Sequence, residues 1–192
     1  MKTYVYFVRH AVSPFALHDE RARGLSGEGA ADAHHAAGLL ASEGINVVVS
    51  SSYTRAVDTV RPLAELLQTE IVEFEELRER PIASLRYAIS EDELTAAIGR
   101  SFEDIDFCMA EGETTREAQD RAIPVFKRLL EQYRGQKIAV GTHGNIMTII
   151  LQYFDGRYGF EFWKQTSKPD IYKLQFDGDV LENVERLWRP RG

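Results

Sequence analysis

A run rich in valine, tyrosine and phenylalanine near the N-terminus, Thr3 to Val8, ends abruptly in an arginine and a histidine. This composition is typical of a strand that is covered on both faces, so the run predicts a central strand in an α/β sheet. Open α/β sheets bind ligands beyond the carboxyl ends of their strands. Arg9 and His10, which follow this run, are therefore candidate functional residues.

Helical and apolar strand-like segments alternate after this strand. A helix is predicted from Ser26, a plausible N-cap, to Glu43, and Gly44 suits its C-terminus. The next segments, listed in order, are a strand in INVVVSSS (45–52), a helix over Tyr53 to Leu67 and a strand over Glu70 to Phe74. The order βαβαβ is typical of a parallel sheet.

Residues 80–111 interrupt the alternation, and a short acidic helix near Ser90 to Ile98 is the one clear element there. Later segments are a helix over Thr115 to Tyr133, a strand in KIAVGTH (137–143), a helix over about Asn145 to Phe154, and strands over Ile171 to Phe176 and Val180 to Val184 around the hairpin signal Asp177-Gly178. We expect a three-layer α/β/α sandwich with a mostly parallel sheet and an antiparallel edge strand. One domain is expected over 1–192, with a lid-like insertion at about 80–111.

Composition excludes several classes of function. The chain has 192 residues, 44% of them apolar, enough for one core, and its net charge of −7 disfavours nucleic-acid binding. No run approaches the roughly 18 apolar residues of a membrane span, and no leader-like segment precedes the first strand. A single cysteine, Cys108, suits a reducing compartment. We expect a cytoplasmic protein without membrane contact, and the sequence makes no prediction about oligomeric state.

Three of the predicted strands end in residues suited to phosphate. These ends are Arg9-His10, the SSSYTR segment that leads to Arg55, and His143-Gly144. If the strands are parallel neighbours, two imidazoles, two guanidiniums and a helix N-terminus meet in one crevice. Guanidiniums match phosphate oxygens, and free N–H groups at a helix start add positive charge. The sequence therefore predicts a phosphoryl-group site, with a small phosphorylated substrate as partner.

A neutral histidine can attack phosphorus and form a phosphohistidine, which splits phosphoryl transfer into two steps. The leaving alkoxide then needs a proton, and Glu79 in EELRER is the best-placed carboxylate after the third strand. A charge in a solvated loop is the competing interpretation of Glu79. His18, His34 and His35 lack a strand-end setting, and we assign them no function.

These residues resemble the histidine phosphatase superfamily, also called phosphoglycerate mutase-like. Six blocks occur in the family's order: RH at Arg9-His10, LSGEG at Leu25 to Gly29, SSSYTRAVDT from Ser50, LRE at Leu77 to Glu79, GETTREAQDR from Gly112, and THG at Thr142 to Gly144. The blocks span most of the chain.

The resemblance implies a nucleophilic His10, a phosphoryl clamp of Arg9 and Arg55, and His143 as a further donor to the phosphoryl oxygens. It places Glu79 at the family's proton-donor position and Ser13 at a hydroxyl position. Gly144 belongs to the same phosphate-binding set. No cofactor and no metal is implied, because arginines and imidazolium supply the charge that magnesium supplies elsewhere.

Three positions depart from the family's pattern. Ala11 stands in place of the usual glycine, Val12 in place of a frequent glutamate, and Ala16 in place of a frequent asparagine. Ala11 is tolerable only if the backbone there does not need a positive φ. One phosphate donor is therefore expected to be missing.

A phosphatase for small phosphomonoesters is the preferred prediction. A phosphoglycerate mutase with the same catalytic residues is the alternative, disfavoured because residues 80–111 and the C-terminal segment are short. A binding or regulatory protein on the same scaffold is a third possibility. The lid offers candidates for contact with an apolar or an acidic leaving group, namely Arg86, Tyr87, Arg100, Phe102 and Phe107. Arg78 and Arg80 are candidates for the selection of acidic substrates. Packing and solvated charge are the competing interpretations of these residues, and no substrate is predicted.

Overall fold

A computed structural model provides the fold, and it describes residues 1–15, 19–84 and 89–191. Six strands and six α-helices lie within these ranges. The strands are β1 (Lys2–Arg9), β2 (Val47–Ser51), β3 (Ile71–Phe74), β4 (Lys137–Thr142), β5 (Asp170–Asp177) and β6 (Val180–Arg186). The helices are α1 (Gly27–Leu40), α2 (Thr54–Leu67), α3 (Glu91–Glu103), α4 (Thr115–Gln132), α5 (Gly144–Phe154) and α6 (Phe160–Gln165).

The strands form one sheet in the order β3-β2-β4-β1-β5-β6. The first four of these are mutually parallel, whereas β5 runs antiparallel to β1 and β6 antiparallel to β5. The predicted fold class and the central place of β1 are confirmed. The hairpin loop lies one residue later than its sequence signal, since Asp177 pairs with Val180 and Gly178 takes the positive φ of +61°.

Alternate residues of β1 face opposite layers. Tyr6 and Val8 pack in a cluster with residues of α1 and α2, whereas Val5 and Phe7 pack in a second cluster with residues of α4 and α5. All four side chains are at most 1% exposed. This two-sided burial explains why β1 is almost entirely apolar, and it makes the sheet the middle of three layers.

Helix boundaries follow the capping residues. Ser26 caps α1 and accepts from the Gly29 N–H, as predicted, and Gly44 takes a left-handed φ of +72° after the last turn. Ser90 and Glu93 form a reciprocal capping box at the start of α3, which extends five residues beyond the predicted end at Ile98.

Helix α6 was not predicted. Its six residues, FEFWKQ, are too few to show a helical period, and it is held by contacts with α5 and α3.

Some predictions fall on residues outside the described ranges, namely those for Ala16, His18, Arg86 and Tyr87. Of the other histidines without an assigned function, His34 is exposed and His35 packs edge-on against Trp188 with ring centroids 5.4 Å apart. Within residues 1–15, 19–84 and 89–191, no helix is long and apolar enough to cross a membrane.

Candidate active site

Parallel pairing brings the polar strand ends together. Strand β4 lies between β1 and β2, and Arg9 at the end of β1 is in register with Thr142 at the end of β4. His10 and His143 are the next residues of these two strands, and their ring centroids are 5.2 Å apart. The topology therefore produces the meeting of two imidazoles that the sequence predicted.

His10 is held as a neutral imidazole with a defined tautomer. Its Nδ1 lies 2.8 Å from the Ala11 carbonyl oxygen, and because a carbonyl can only accept, Nδ1 carries the proton. Nε2 is left with a lone pair. Burial, and next the charge of Arg55, hold the pKa of His10 well below its usual range. His10 is therefore suited to nucleophilic attack through Nε2 at neutral pH.

The alanine at position 11 fits this backbone. Among the described residues, positive φ angles at non-glycine positions occur at Gln68 and Glu111 and not at Ala11. The Ala11 N–H donates to Thr59 Oγ1 at 3.0 Å. The departure from glycine at position 11 thus introduces no strain into the segment after His10.

His143 is completely buried behind His10. Its Nε2 lies 2.8 Å from Ser51 Oγ at the end of β2, and its Nδ1 has no hydrogen-bond partner in the described part of the chain. Burial, then the charge of Arg55, also lower the pKa of His143 well below its usual range. Ser51 can donate to Nε2, and that arrangement leaves an Nδ1–H group available to an anion.

Arg9 lies directly against Gly144 at the start of α5. A Cβ at position 144 would come within 2.8 Å of the Arg9 guanidinium carbon, so glycine is required for this packing. Arg9 Nη1 donates to the Thr166 carbonyl at 3.1 Å and to the Thr166 hydroxyl, which fixes the guanidinium from the side of α6. Its Nε is buried and unpartnered among the described residues.

Both terminal nitrogens of Arg55 are occupied by one residue, Glu20. Nη1 donates to the Glu20 carbonyl at 2.7 Å and Nη2 to the Glu20 carboxylate at 2.6 Å. The same carboxylate accepts from Arg23 Nε at 2.7 Å. The Arg55 side chain is 1% exposed, and its buried Nε has no partner in the described ranges. A carboxylate thus lies where Arg55 and Arg23 offer donors suited to an anion.

Ser13 lies beside the cavity and does not line it. Its hydroxyl donates to the Gly24 carbonyl and accepts from Arg23 Nη1, both at 2.6 Å. The hydroxyl is used to fix Arg23, and phosphate binding by Ser13 stays a prediction.

Glu79 contacts the N-terminus of α5. Its Oε1 accepts from the backbone N–H groups of Arg80 and Ile146, each at 2.9 Å, and its Oε2 accepts from the Asn145 N–H at 3.1 Å. The interpretation of Glu79 as a solvated loop charge is wrong. The first-turn amides of α5 that were expected to face phosphate are in part used by this carboxylate. Because Oε2 accepts one bond and Oε1 two, Oε2 is the oxygen with room for a proton.

Arg80 is a buried structural residue, and the interpretation as a solvated charge is wrong. It is 2% exposed and donates to Ser101, Thr115 and Asn145 at 2.9 to 3.0 Å. Burial lowers its pKa to about 10, so the guanidinium stays charged at neutral pH. Arg80 therefore ties α3, α4 and α5 together beneath the cavity. Arg78, in contrast, pairs with Glu113 at 3.3 Å.

Arg100, Phe102 and Phe107, three of the candidates for substrate selection, pack away from the cavity. Phe102 is 7% exposed within the core, and the Arg100 guanidinium lies 4.0 Å from the Phe107 ring centroid. None of the three lines the cavity. Packing is therefore the better account of these residues.

A cavity of about 330 Å³ opens at the strand ends. Its ionic lining consists of Arg9, His10, Glu20, Arg23, Arg55, Glu79, Arg80 and Lys168. Arg9 and Arg55 each have a buried Nε without a partner in the described ranges. His143 does not line the cavity, but its unpartnered Nδ1 belongs to a ring that lies against His10, with centroids 5.2 Å apart. Buried polar groups are normally hydrogen-bonded, so a cluster of unmet nitrogen groups favours an anion-binding site.

No set of three or more histidine, cysteine or carboxylate side chains suited to a metal ion occurs among the residues described.

Sequence reasoning missed Glu20, Arg23, Thr166 and Lys168. Arg23 and Glu20 belong to the charged run DERARG just before the LSGEG block, and this proximity to a family block was the available signal. Thr166 and Lys168 follow α6, where the chain returns to the sheet, and no local pattern indicates that position.

Comparisons with known proteins match this chain to one family. A family model of the histidine phosphatase superfamily (branch 1) matches residues 5–186. A 2,3-bisphosphoglycerate-dependent phosphoglycerate mutase from Azorhizobium caulinodans is 27% identical over 209 aligned positions, which cover 97% of this chain and all of the mutase.

Solved structures share the fold at low sequence identity. A mycobacterial glucosyl-3-phosphoglycerate phosphatase superposes with a TM-score of 0.74 at 16% identity, covering 97% of each chain. A phosphoserine phosphatase from Entamoeba histolytica superposes with a TM-score of 0.75 at 17% identity, covering 95% of this chain and 96% of its own.

Proposed function

Because the chain belongs to the histidine phosphatase superfamily, we propose that it is a phosphatase that hydrolyses small phosphomonoesters through a phosphohistidine on His10. The observation that carries the proposal is the neutral, tautomer-fixed His10 beside unpartnered nitrogens of Arg9, Arg55 and His143. A nucleophile and several donors for phosphoryl oxygens in one crevice are what phosphoryl transfer requires.

In the first step, His10 Nε2 attacks phosphorus and the bond to the ester oxygen breaks. Arg9, Arg55 and His143 stabilise the charge on the phosphoryl oxygens, and Glu79 gives a proton from Oε2 to the departing alkoxide. In the second step, Glu79 takes a proton from a water molecule that attacks the phosphohistidine. Inorganic phosphate leaves, and His10 returns to its neutral state.

A phosphoglycerate mutase is the second candidate, and the Azorhizobium relative favours it. Chain length does not separate the two activities, because that mutase aligns over its whole length within 209 positions. Charge supports the phosphatase. A mutase must hold a carboxylate and a second phosphate as well, but the lining has few donors to spare for them. Arg23 and Arg55 both donate to Glu20, and the terminal nitrogens of Arg80 donate to Ser101, Thr115 and Asn145.

A test of the proposal is steady-state hydrolysis of p-nitrophenyl phosphate in the presence of EDTA, with His10→Ala as the paired variant. We expect turnover by the wild-type protein that the chelator does not remove and the substitution abolishes. In parallel, any reaction of 3-phosphoglycerate should release inorganic phosphate and form no isomer. Conversion to 2-phosphoglycerate would support the mutase, and no turnover by folded protein would support a binding protein on this scaffold.

A further inference from the structure

The cavity has two walls of different chemistry, contributed by different elements. Nearly all of the ionic lining comes from the strand ends and the loops beside them. Most of the apolar lining among the described residues comes from the segment after Glu79 and from α3 and α6: Ile82, Ala83, Ile89, Leu94, Ile98 and Trp163. We call these six residues the apolar wall. Phe15 and Pro81 also line the cavity.

The apolar wall is part of the packed interior. Ile82 and Ile98 are 4% and 1% exposed and belong to the main core cluster, and Leu94 and Trp163 pack against that cluster. Gly99 of α3 lies against the Phe160 ring of α6, where a Cβ would be 3.2 Å from the nearest ring atom. This close approach fixes the two helices that carry the wall.

Charged groups near the apolar wall are engaged elsewhere. The terminal nitrogens of Arg80 donate to three side chains, and its guanidinium carbon lies 5.8 Å from the Phe102 ring centroid. Its Nε is buried and has no partner among the described residues. The Ser84 hydroxyl donates to Glu111 at 2.9 Å.

Lys168 belongs to the ionic side. Desolvation, and then the charges of Arg9 and Arg23, lower the pKa of Lys168. The six residues of the apolar wall are therefore uncharged, and the terminal nitrogens of Arg80 beside them are committed to protein partners.

We propose that the apolar wall binds the leaving group, so that this protein selects phosphomonoesters of hydrophobic alcohols or phenols over those of sugars and hydroxy acids. The inference rests on the proposed function and names its substrate class. A polyol or a carboxylate placed against these side chains would lose its hydrogen bonds to water without replacement. A cavity of about 330 Å³ is at the small end for ligand sites, which suits a phosphoryl group with one ring or a short chain.

The first test uses alkyl phosphates of increasing chain length, whose leaving alcohols differ little in acidity. Burial of each methylene group should raise kcat/KM about fourfold until the wall is filled. The kcat/KM for butyl phosphate should then exceed that for glycerol phosphate, which has a similar size but a polar leaving group. Equal or reversed preference would overturn the inference.

Binding of alkylphosphonates, measured by calorimetry, separates this inference from the proposed function. These compounds are not hydrolysed, so their Kd values measure how the alkyl chain binds to the apolar wall, with no contribution from catalysis. We expect Kd to fall with chain length, and a Kd independent of chain length would overturn the apolar wall as a leaving-group site. Failure to hydrolyse any ester would instead overturn the phosphatase proposal.

Leu94→Asn places a polar group in the wall, and Leu66→Asn is the matched control on α2, where Leu66 is 62% exposed. Leu94→Asn should reduce the gain in kcat/KM between ethyl and hexyl phosphate by about tenfold, because one of the side chains that cover the alkyl chain becomes polar. Inorganic phosphate, which has no leaving group, should bind with the wild-type Kd. Trp163→Gln makes the same change in the part of the apolar wall that α6 contributes, and it should also weaken the dependence on chain length. Retention of the full chain-length dependence in both folded variants would contradict the proposal.

Discussion

At the scale of single residues, Glu20 places a negative charge against two of the arginines that line the cavity. Its carboxylate accepts from Arg55 at 2.6 Å and from Arg23 at 2.7 Å, and these are charge-assisted bonds of the kind that a phosphoryl oxygen would make. Glu20 therefore competes with phosphate for the same donors. The Arg55 clamp is complete for an anion only when this carboxylate moves away or shares the nitrogens.

Glu20→Gln should strengthen the binding of inorganic phosphate. Loss of the competing charge frees donor capacity on Arg55 and Arg23, and one charge-assisted bond is worth about 1.5–3 kcal/mol, which predicts a Kd lower by about tenfold or more. Calorimetric titration with phosphate measures this change. Glu75→Gln is the control, because Glu75 pairs with Arg21 on the surface. Weaker phosphate binding by Glu20→Gln would show that Glu20 serves to position Arg55.

At the scale of elements, the start of α1 sets the position of the segment after His10. The Ser26 N–H donates to the Val12 carbonyl at 2.9 Å, and a Cβ at Gly29 would overlap that carbonyl oxygen. Gly29, the second glycine of the LSGEG block, is thus needed for close approach between α1 and the residues that follow β1. Nothing lies within 4 Å of a Cβ at Gly38, in the same helix.

Gly29→Ala and Gly38→Ala should have opposite effects on the free energy of unfolding. Alanine at position 38 should stabilise the protein by about 0.5–1 kcal/mol, because alanine is the better helix former. Alanine at position 29 should destabilise it by about 1–3 kcal/mol, because the backbone at Val12 has to shift. Urea unfolding measures both values, and equal effects would contradict the close approach.

Elements with a clear period or a cap were predictable from the sequence, and short packed elements were not. Ser26, Gly44 and the apolar runs of β1 and β4 carry local signals that the structure obeys. Helix α6 has only six residues and depends on contacts with α3 and α5. Tertiary packing therefore determines this helix, and no local sequence pattern indicates it. The extension of α3 to Glu103 likewise follows from burial of Ser101 and Phe102.

For the molecule as a whole, two buried neutral histidines make stability depend on pH. The pKa values of His10 and His143 lie well below the usual value near 6.5 because of burial. The unfolded chain therefore binds more protons than the folded chain below about pH 6.5, so stability is present above that pH and is lost as the pH falls.

Between about pH 7.5 and 5.5, each histidine should reduce the free energy of unfolding by about 1 kcal/mol. Urea unfolding of wild type and His10→Gln at both pH values measures the contribution of His10. The variant should lose about 1 kcal/mol less than the wild type over this range. An identical pH dependence of the two proteins would show that folding does not lower the pKa of His10.

Some residues of the candidate site could likewise be predicted from local sequence patterns, whereas others depend on tertiary packing. Arg9, His10, Arg55 and His143 follow or adjoin strand ends, so parallel order alone brings them together. Glu20 reaches Arg55 across 35 positions of sequence, and Arg9 meets Thr166 across 157. Contacts of this kind depend on how loops pack over the sheet, and no local pattern in one sequence indicates them.

The most direct test of the account is to trap the phosphoryl group on the protein. Wild-type protein is mixed with radiolabelled p-nitrophenyl phosphate and quenched within the first turnover, and the label is located by peptide mapping. We expect an alkali-stable, acid-labile phosphoryl group on His10 and none in His10→Ala. Turnover without protein-bound label, or label on another residue, would contradict the proposed role of His10.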